Sequence, residues 1–437
     1  MLRTTAAIAA GKLTRAVAKR RGGGSALPGL VAERIDPKIL GHALGALPGG
    51  IVVVSGTNGK TTTTRMLVAV LRAHGRTVFT NPTGSNFTRG VISALLSEVG
   101  LRGRPVADIA VLELDEAHAL KFADALTPTH ALLLNVARDQ LDRFAEIDHT
   151  AKLLASLAAR TSTGVVINRD DSFVARSADG VTSGVTIDYF GVDASIAHRL
   201  PELMEQDTRL DDDYVVPPPG ADDVLLRPVD ERSLEILIGV DGAGGVLGPL
   251  ELKQRGLAAM INATAASAMA RQLLGSGFDP ATAASALSAV TAPFGRGEVI
   301  DAGGSPLELV LVKNPAGFTV ALSTYGSTPV ATMIAINDNY ADGRDVSWLY
   351  DVSFESLRER GVALTSGVRA FDMALRLEYD EVPVAAVEPD LDRALERFLA
   401  ERAGAPARIF CTYTAMMSLR RNLAARYDLP AFGEEAS

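Results

Sequence analysis

The chain has 437 residues, 47% hydrophobic and 22% charged, with a formal net charge of −9. That length exceeds a single core and predicts two or three domains, and the acidic balance argues against nucleic acid as the main partner. The one cysteine, Cys411, excludes a disulfide framework and a Cys-rich metal site made by this chain alone. No apolar run reaches the roughly 20 residues that a membrane span requires, and no signal-peptide pattern is present, so a cytoplasmic enzyme is expected.

Taken in chain order, the first 21 residues carry Arg3, Lys12, Arg15, Lys19, Arg20 and Arg21 and no acid, with Leu2, Ile8, Leu13 and Val17 between them. A helix packed on its own domain is the first expectation. A basic amphipathic helix in peripheral contact with an anionic membrane is the second, and a transit peptide the third. GGGSALPG, Gly22 to Gly29, reads as loop.

Ile51 to Thr64 reads IVVVSGTNGKTTTT. Four β-branched residues, Ile51 to Val54, predict a strand buried on both faces. Gly56 and Gly59 let the following turn curl its N–H groups toward an anion, and Thr61 to Ala73 is helix-compatible, adding a positive helix end. Strand, glycine turn, Lys-Thr and helix predict a phosphate-binding loop over Gly56, Thr57, Asn58, Gly59, Lys60, Thr61 and Thr62. Lys60 would reach the β/γ-phosphates and Thr61 would offer its hydroxyl to Mg²⁺. Only two residues separate Gly56 from Gly59, fewer than in the general GxxxxGK[ST] pattern.

Beyond that loop, Thr77–Thr80, Ile109–Leu114, Ala131–Val136 and Gly164–Asn168 predict strands alternating with helices. A mostly parallel sheet with helices on both faces follows, with ligands at the strands' carboxyl ends. At those ends stand Glu113, Asp115 and Glu116, hard oxygen donors suited to Mg²⁺. Asn135 to Asp142 (NVARDQLD) follows the next strand, and Asn168-Arg169-Asp170-Asp171 the one after, with Asn168 and Asp170 placed to meet a ribose or base. From about Ile187 to Leu250 the short apolar stretches are broken by Asp211 to Asp213, Pro217 to Gly220, and Gly242, Gly244 and Gly245. This predicts an irregular or antiparallel insertion. Helices follow over Leu257 to Leu274 and on to near Ala292. Phe294 to Glu298 (FGRGE) reads as a hinge, and Leu307–Val312, Ala331–Ile336, Val362–Thr365, Val382–Val387 and Ile409–Tyr413 as strands of a second α/β unit.

Together GTNGKTT, ELDEA, NVARDQLDR, NRDD and FGRGE resemble the Mur ligase family of ATP-dependent amide-forming enzymes. The likeness is closer to its MurT branch, through SALPG, NPTGSNFTRG (Asn81 to Gly90), NDNYADGRDVSWLYD (Asn337 to Asp351), SGVRAFDMALRLEY (Ser366 to Tyr379) and TYTAM (Thr412 to Met416). It spans about Gly22 to Leu423. It implies a basic lead-in over residues 1–47, a Mur ligase-like central ATP-binding α/β domain over 48–297 and a smaller C-terminal α/β domain over 298–437. It also implies ATP and Mg²⁺ as cofactors, Lys60 and Thr61 at the phosphates and metal, and Glu113 as a metal ligand. Lys152 falls where many family members bear a carbamylated lysine near a second Mg²⁺. Asn262 matches one of two nucleotide-contacting asparagines, with Ala259 at the other position, and Arg296 resembles an interdomain arginine.

The reaction implied is amidation of the α-carboxyl of D-glutamate in the lipid II stem peptide to D-isoglutamine, through an acyl phosphate. A GatD-type glutaminase partner would supply the ammonia, and the enzyme would work in peptidoglycan synthesis near the inner membrane face. The branch is expected to lend an aspartate to the partner's Cys-His pair, and Asp351, then Asp345, are the candidates. Many members carry a four-cysteine zinc ribbon; one cysteine cannot build it, so no zinc is expected. A stand-alone Mur or folylpolyglutamate-type amino acid ligase and a non-catalytic ATP-binding scaffold are the alternatives.

Overall fold

The computed structural model describes residues 2–20, 26–81, 86–100, 103–137, 147–196, 215–291, 296–325, 330–427 and 429. Three helices lead in: α1 (Leu2–Arg20), α2 (Ala26–Ile35) and α3 (Ile39–Leu44). Ala7 and Ile8 of α1 are buried in the core that also takes in α2, α3 and the next layer, while Leu2 and Leu13 stay exposed. The segment from Ala26 to Gly29, expected as loop, is the first turn of α2. Pro28 is tolerated there because first-turn amides need no helical partner, and Gly29 permits close packing, its N–H donating to Ser93 Oγ at 2.9 Å. Residues 21–25 lie outside the described residues.

The strands and helices then alternate: β1 (Ile51–Ser55), α4 (Lys60–Ala73), β2 (Val78–Thr80), α5 (Thr88–Glu98), β3 (Ile109–Glu113), α6 (Glu116–Ala125), β4 (His130–Leu133), α7 (Ile147–Ala159), β5 (Gly164–Asn168) and the short α8 (Ser172–Ala175). They continue with β6 (Thr186–Val192), β7 (Val224–Pro228), β8 (Ser233–Ile238), β9 (Gly245–Glu251), α9 (Leu257–Leu274) and α10 (Pro280–Ala289). Among the described residues these strands form one sheet in the order β2-β3-β1-β4-β5-β6-β7-β8-β9. β1 lies parallel between β3 and β4. Its side chains alternate between two cores: Val52 and Val54 pack with α4, α9 and α10, and Ile51 and Val53 with the lead-in helices and α5 to α7.

The segment expected as an irregular or antiparallel insertion extends this sheet, and its last strands are antiparallel as expected. β6 and β7 pair parallel, and β8 and β9 close the edge as antiparallel strands. The Pro and Gly clusters mark the turns between strands, not an absence of pairing. Residues 197–214, including Asp211 to Asp213, are outside the described residues.

A second sheet begins at β10 (Arg296–Asp301), so the expected hinge at Arg296 to Glu298 is strand; Phe294 and Gly295 are not described. Then come β11 (Pro306–Leu311), α11 (Pro315–Tyr325), β12 (Ala331–Ala335), β13 (Leu364–Ser366), α12 (Ala370–Tyr379), β14 (Val387–Glu388), α13 (Leu391–Glu401), β15 (Ala407–Cys411) and α14 (Tyr413–Ala424). Their order is β10-β11-β15-β12-β13-β14, parallel except for β10 against β11. The strand expected over Val382–Val387 shrinks to Val387–Glu388 and a lone bridge from Val384 to Val362, because Pro383 cannot donate to a ladder. Strand β15 ends at Cys411, and Tyr413 already opens α14. No helix among the described residues is long and apolar enough to cross a membrane.

Candidate active site

The connections leaving β1 and β4 run in opposite directions, β1 toward the β2 edge and β4 toward β5. Their carboxyl ends therefore open the crevice where a doubly wound sheet binds ligands. The loop from Gly56 to Lys60 lies there and is gripped from the β4 side. Thr57 N–H donates to the Asn135 carbonyl (2.9 Å), Asn58 N–H donates to Asn135 Oδ1 (2.8 Å), and Asn135 Nδ2 donates back to the Asn58 carbonyl (3.0 Å). Gly59 has φ 86°, the left-handed region, at the head of α4; a Cβ there would run into Asn262 Oδ1. Asn262, on α9, also accepts from Thr63 Oγ1 at 3.1 Å. The structure thus brings the loop and Asn262 together across the sequence.

Lys60 and Thr61 are buried in the first turn of α4. Thr61 Oγ1 donates to Glu113 Oε1 at 2.8 Å. Glu113 is held at the end of β3 by its N–H to Asn81 Oδ1 and by Asn81 Nδ2 to its carbonyl, both 2.9 Å. A hydroxyl and a carboxylate side by side are hard oxygen donors that fit Mg²⁺, which draws its remaining ligands from phosphate and water. Among the described residues no group of three or more His, Cys, Asp or Glu side chains is placed to hold a metal by itself. Lys60 Nζ lies 3.9 Å from Asp115 and 4.0 Å from Glu116, and donates to the Gly56 and Thr57 carbonyls. Burial pushes the Glu116 carboxyl up despite Lys60. Burial also pushes Asp115 upward, but the hydrogen bond from Glu116 and the charges of Lys60 and Lys313 outweigh it and hold Asp115 low. These acids, expected as metal ligands with Glu113, are here the counter-charges of a lysine.

The crevice widens into a cleft between the two sheets. Its walls include Asn58, Gly59, Thr62, Asn168, Asp170, Phe173, Ala259, Ile261 and Asn262 from the first unit and Gly297, Lys313, Ala316, Val320 and Tyr325 from the second. Asn168 Nδ2 donates to the Leu134 carbonyl at 2.8 Å, and Asp170 Oδ2 accepts from Val192 N–H at 2.7 Å. Burial raises the Asp170 carboxyl to about 6, against the pull of the Val192 amide and Arg169. Apolar walls around polar groups at one end suit a nucleoside whose phosphates run into the loop.

Not every expected residue converges there. Lys152 is exposed on α7 and is not among the cleft walls. Arg296 opens β10, and its side chain lies outside the described residues, as do Arg138 to Asp142. Asp345 and Asp351 stand far along the second unit. Asp345 Oδ1 accepts from Ser347 N–H at 2.8 Å, and Asp351 is exposed beside Tyr350. Cys411 is fully buried at the end of β15, and burial drives its thiol well above the ordinary range, which leaves it no role as a nucleophile.

Sequence reading missed two residues. Lys313, in the turn between β11 and α11, donates to the Thr57 carbonyl at 3.3 Å, and Asn314 Nδ2 donates to Asn58 Oδ1 at 3.2 Å. Lys-Asn-Pro at a strand's end was the available signal, but it marks turns everywhere.

Residues 54–205 match the Mur ligase middle domain and residues 311–416 the MurT ligase C-terminal domain. Over 97% of this chain and 98% of its own, a Streptococcus pneumoniae protein described as lipid II isoglutaminyl synthase (glutamine-hydrolyzing) subunit MurT is 32% identical. A Staphylococcus aureus protein of the same description is 31% identical over 88% of this chain and 89% of its own. Among solved structures, MurF ligase from Thermotoga maritima in complex with ADP superposes with a TM-score of 0.64 at 18% identity, covering 91% of this chain and 85% of that one. A pseudomurein peptide ligase type C from Methanothermus fervidus gives 0.65 at 16%, covering 87% and 79%. The chain belongs to the Mur ligase family, in its MurT branch.

Proposed function

We propose that the chain is the ATP-dependent synthetase of a two-subunit amidotransferase, converting the α-carboxyl of D-glutamate in the lipid II stem peptide to an amide. The observation that carries the reading is the phosphate loop, with Thr61 hydrogen-bonded to Glu113 and a cleft leading to it from both units. A carboxylate resists ammonia because oxide is a poor leaving group. Attack of a carboxylate oxygen on the γ-phosphorus breaks the bond to the β–γ bridging oxygen, and ADP leaves with the electron pair. Ammonia then adds to the acyl carbon, phosphate departs, and the nitrogen sheds a proton to give the amide. Lys60 and the loop amides bind and orient the transferring group. Thr61 and Glu113 would hold Mg²⁺, which neutralises phosphate charge when bound.

Ammonia is mostly ammonium at neutral pH, and the chain's one cysteine is buried and inert, so a GatD-type glutaminase subunit is the proposed source. Its docking face is proposed around Asp351. Tyr350 meets Tyr379 edge-on, ring centroids 6.0 Å apart, and Phe371, Leu375 and Tyr379, one stripe along α12, are all exposed. On this reading Asp351, with Asp345 as second choice, orients the partner's histidine.

The test is mass-spectrometric. The chain with ATP, Mg²⁺ and lipid II is expected to lower the stem-peptide mass by about one dalton, OH replaced by NH₂, when given ammonium chloride. With glutamine it should do so only once the glutaminase subunit is added. No mass change under either condition, with ATP still bound, overturns the reading.

A further inference from the structure

Two ammonium groups from opposite sides of the cleft meet at one backbone oxygen. Lys60 Nζ and Lys313 Nζ each donate to the Thr57 carbonyl at 3.3 Å. Lys60 belongs to the phosphate loop and is further satisfied by the Gly56 carbonyl and by Asp115 and Glu116. Lys313 belongs to the second unit and lies half-buried in the β11–α11 turn.

The turn that carries Lys313 is fixed at both ends. Asn314 is fully buried; its Oδ1 accepts from Gly317 N–H at 2.7 Å, fastening the first turn of α11, and its Nδ2 reaches Asn58 Oδ1 at 3.2 Å. Asn58 is in turn held at both its backbone groups by Asn135. A chain of amides thus runs from β4 through the phosphate loop into the second unit, and it delivers a cation to the loop's mouth. Both ammonium groups act on Asp115, whose carboxyl, despite its burial, their charges help to hold low; an anion with several oxygens can bridge the same two cations at the loop's mouth.

We propose that Lys313 is a second phosphate-directed cation, supplied across the cleft to the terminal phosphate of a bound nucleoside triphosphate, and that phosphoryl transfer requires it. The inference rests on the nucleotide part of the function proposed above and not on the identity of the acceptor. During transfer negative charge spreads over the moving phosphoryl group and onto the bridging oxygen that leaves with ADP. A compact, strongly hydrated ammonium acts there as a point charge and moves no proton. Because Lys60 and Lys313 come from different sheets, the full cation pair exists only when the two units are closed on each other. A nucleoside diphosphate, lacking the third phosphate, would draw little from Lys313.

The experiment compares the full chain with Lys313→Gln and Lys313→Arg. Calorimetric titration with ADP and with a non-hydrolysable ATP analogue, both with Mg²⁺, reads the γ-phosphate contribution alone. Lys313→Gln is expected to weaken the ATP analogue by about tenfold or more and ADP by less than about threefold, on the scale of one charge-assisted contact. Lys313→Arg should restore most of the difference. In the ammonium-driven amidation assay Lys313→Gln should lose about a hundredfold in kcat, the usual scale for one removed electrostatic donor. Equal weakening of the two nucleotides, which a merely structural role would give, or no change in either, overturns the proposal. If wild-type chain binds both nucleotides but amidates nothing, the proposed function fails, and the binding ratio still decides the role of Lys313.

Discussion

Asp170 and Asp171 show what burial does to single residues beside the cleft. Both carboxyls are pushed up to about 6 by burial, Asp171 even though it accepts from the Val136, Phe173 and Val174 amides. A carboxyl whose folded pKa lies above its unfolded value near 4 binds protons more tightly when folded. Its stabilising contribution is therefore complete below about pH 4 and is lost as pH rises through about 6. Asp170→Asn removes one such group, so the melting temperature of wild type should fall relative to this variant between pH 4 and 6 and stay parallel above. Parallel curves throughout would show that Asp170 titrates normally. At this scale the loop residues and Glu113 were legible, because a motif at a strand's end announces its chemistry, whereas Asn262, inside α9, came only through the family resemblance. Lys313 was not: its partner Thr57 is 256 residues away, and a half-buried lysine in a turn has no local pattern to distinguish it. Nor could sequence place Lys152, since a helix lysine reads alike whether it faces a site or water.

Among elements, α1 makes the clearest prediction. It packs on its own domain, as first expected: Ile8 is 1% exposed, within the core shared with α2 and α5. Ile8→Ala should cost about 3 kcal/mol of the first unit's stability, as buried Ile truncations do, measured from the denaturant midpoint. An unchanged midpoint would mean that α1 docks without contributing. The parallel strands from Ile51 to Asn168 were readable because burial on both faces leaves continuous apolar runs. The sheet's far edge was not, since glycine and proline punctuate it and β9 buries only Leu247 and Leu250, which leaves no continuous apolar run to read.

The phosphate loop lines the cleft, and the exposed Asp351 is not among the cleft walls. On the proposed reading, mutations should therefore separate ATP-driven amidation from glutamine use. With the glutaminase subunit present, Asp351→Asn is expected to abolish most glutamine-driven amidation and leave ammonium-driven amidation within about twofold, because a lost triad carboxylate costs up to about 10⁴ in rate only where it orients the histidine. Normal glutamine use by both the Asp351→Asn and Asp345→Asn complexes would discard the shared-triad idea.

The order of strands in the second sheet also bears on how the protein is made. β15, the last strand to be synthesised among the described residues, lies between β11 and β12 and pairs with both. Until residues 407–411 have left the ribosome, that sheet has a gap at its centre, with two unpaired strand edges facing it. The nine-stranded unit has all its strands by residue 251 and its covering helices by residue 289, so it can fold while translation continues. The turn bearing Lys313 can be fixed against a finished phosphate loop only afterwards. Vectorial synthesis therefore yields the half that carries the phosphate loop first, and Lys313 meets that loop only late in folding.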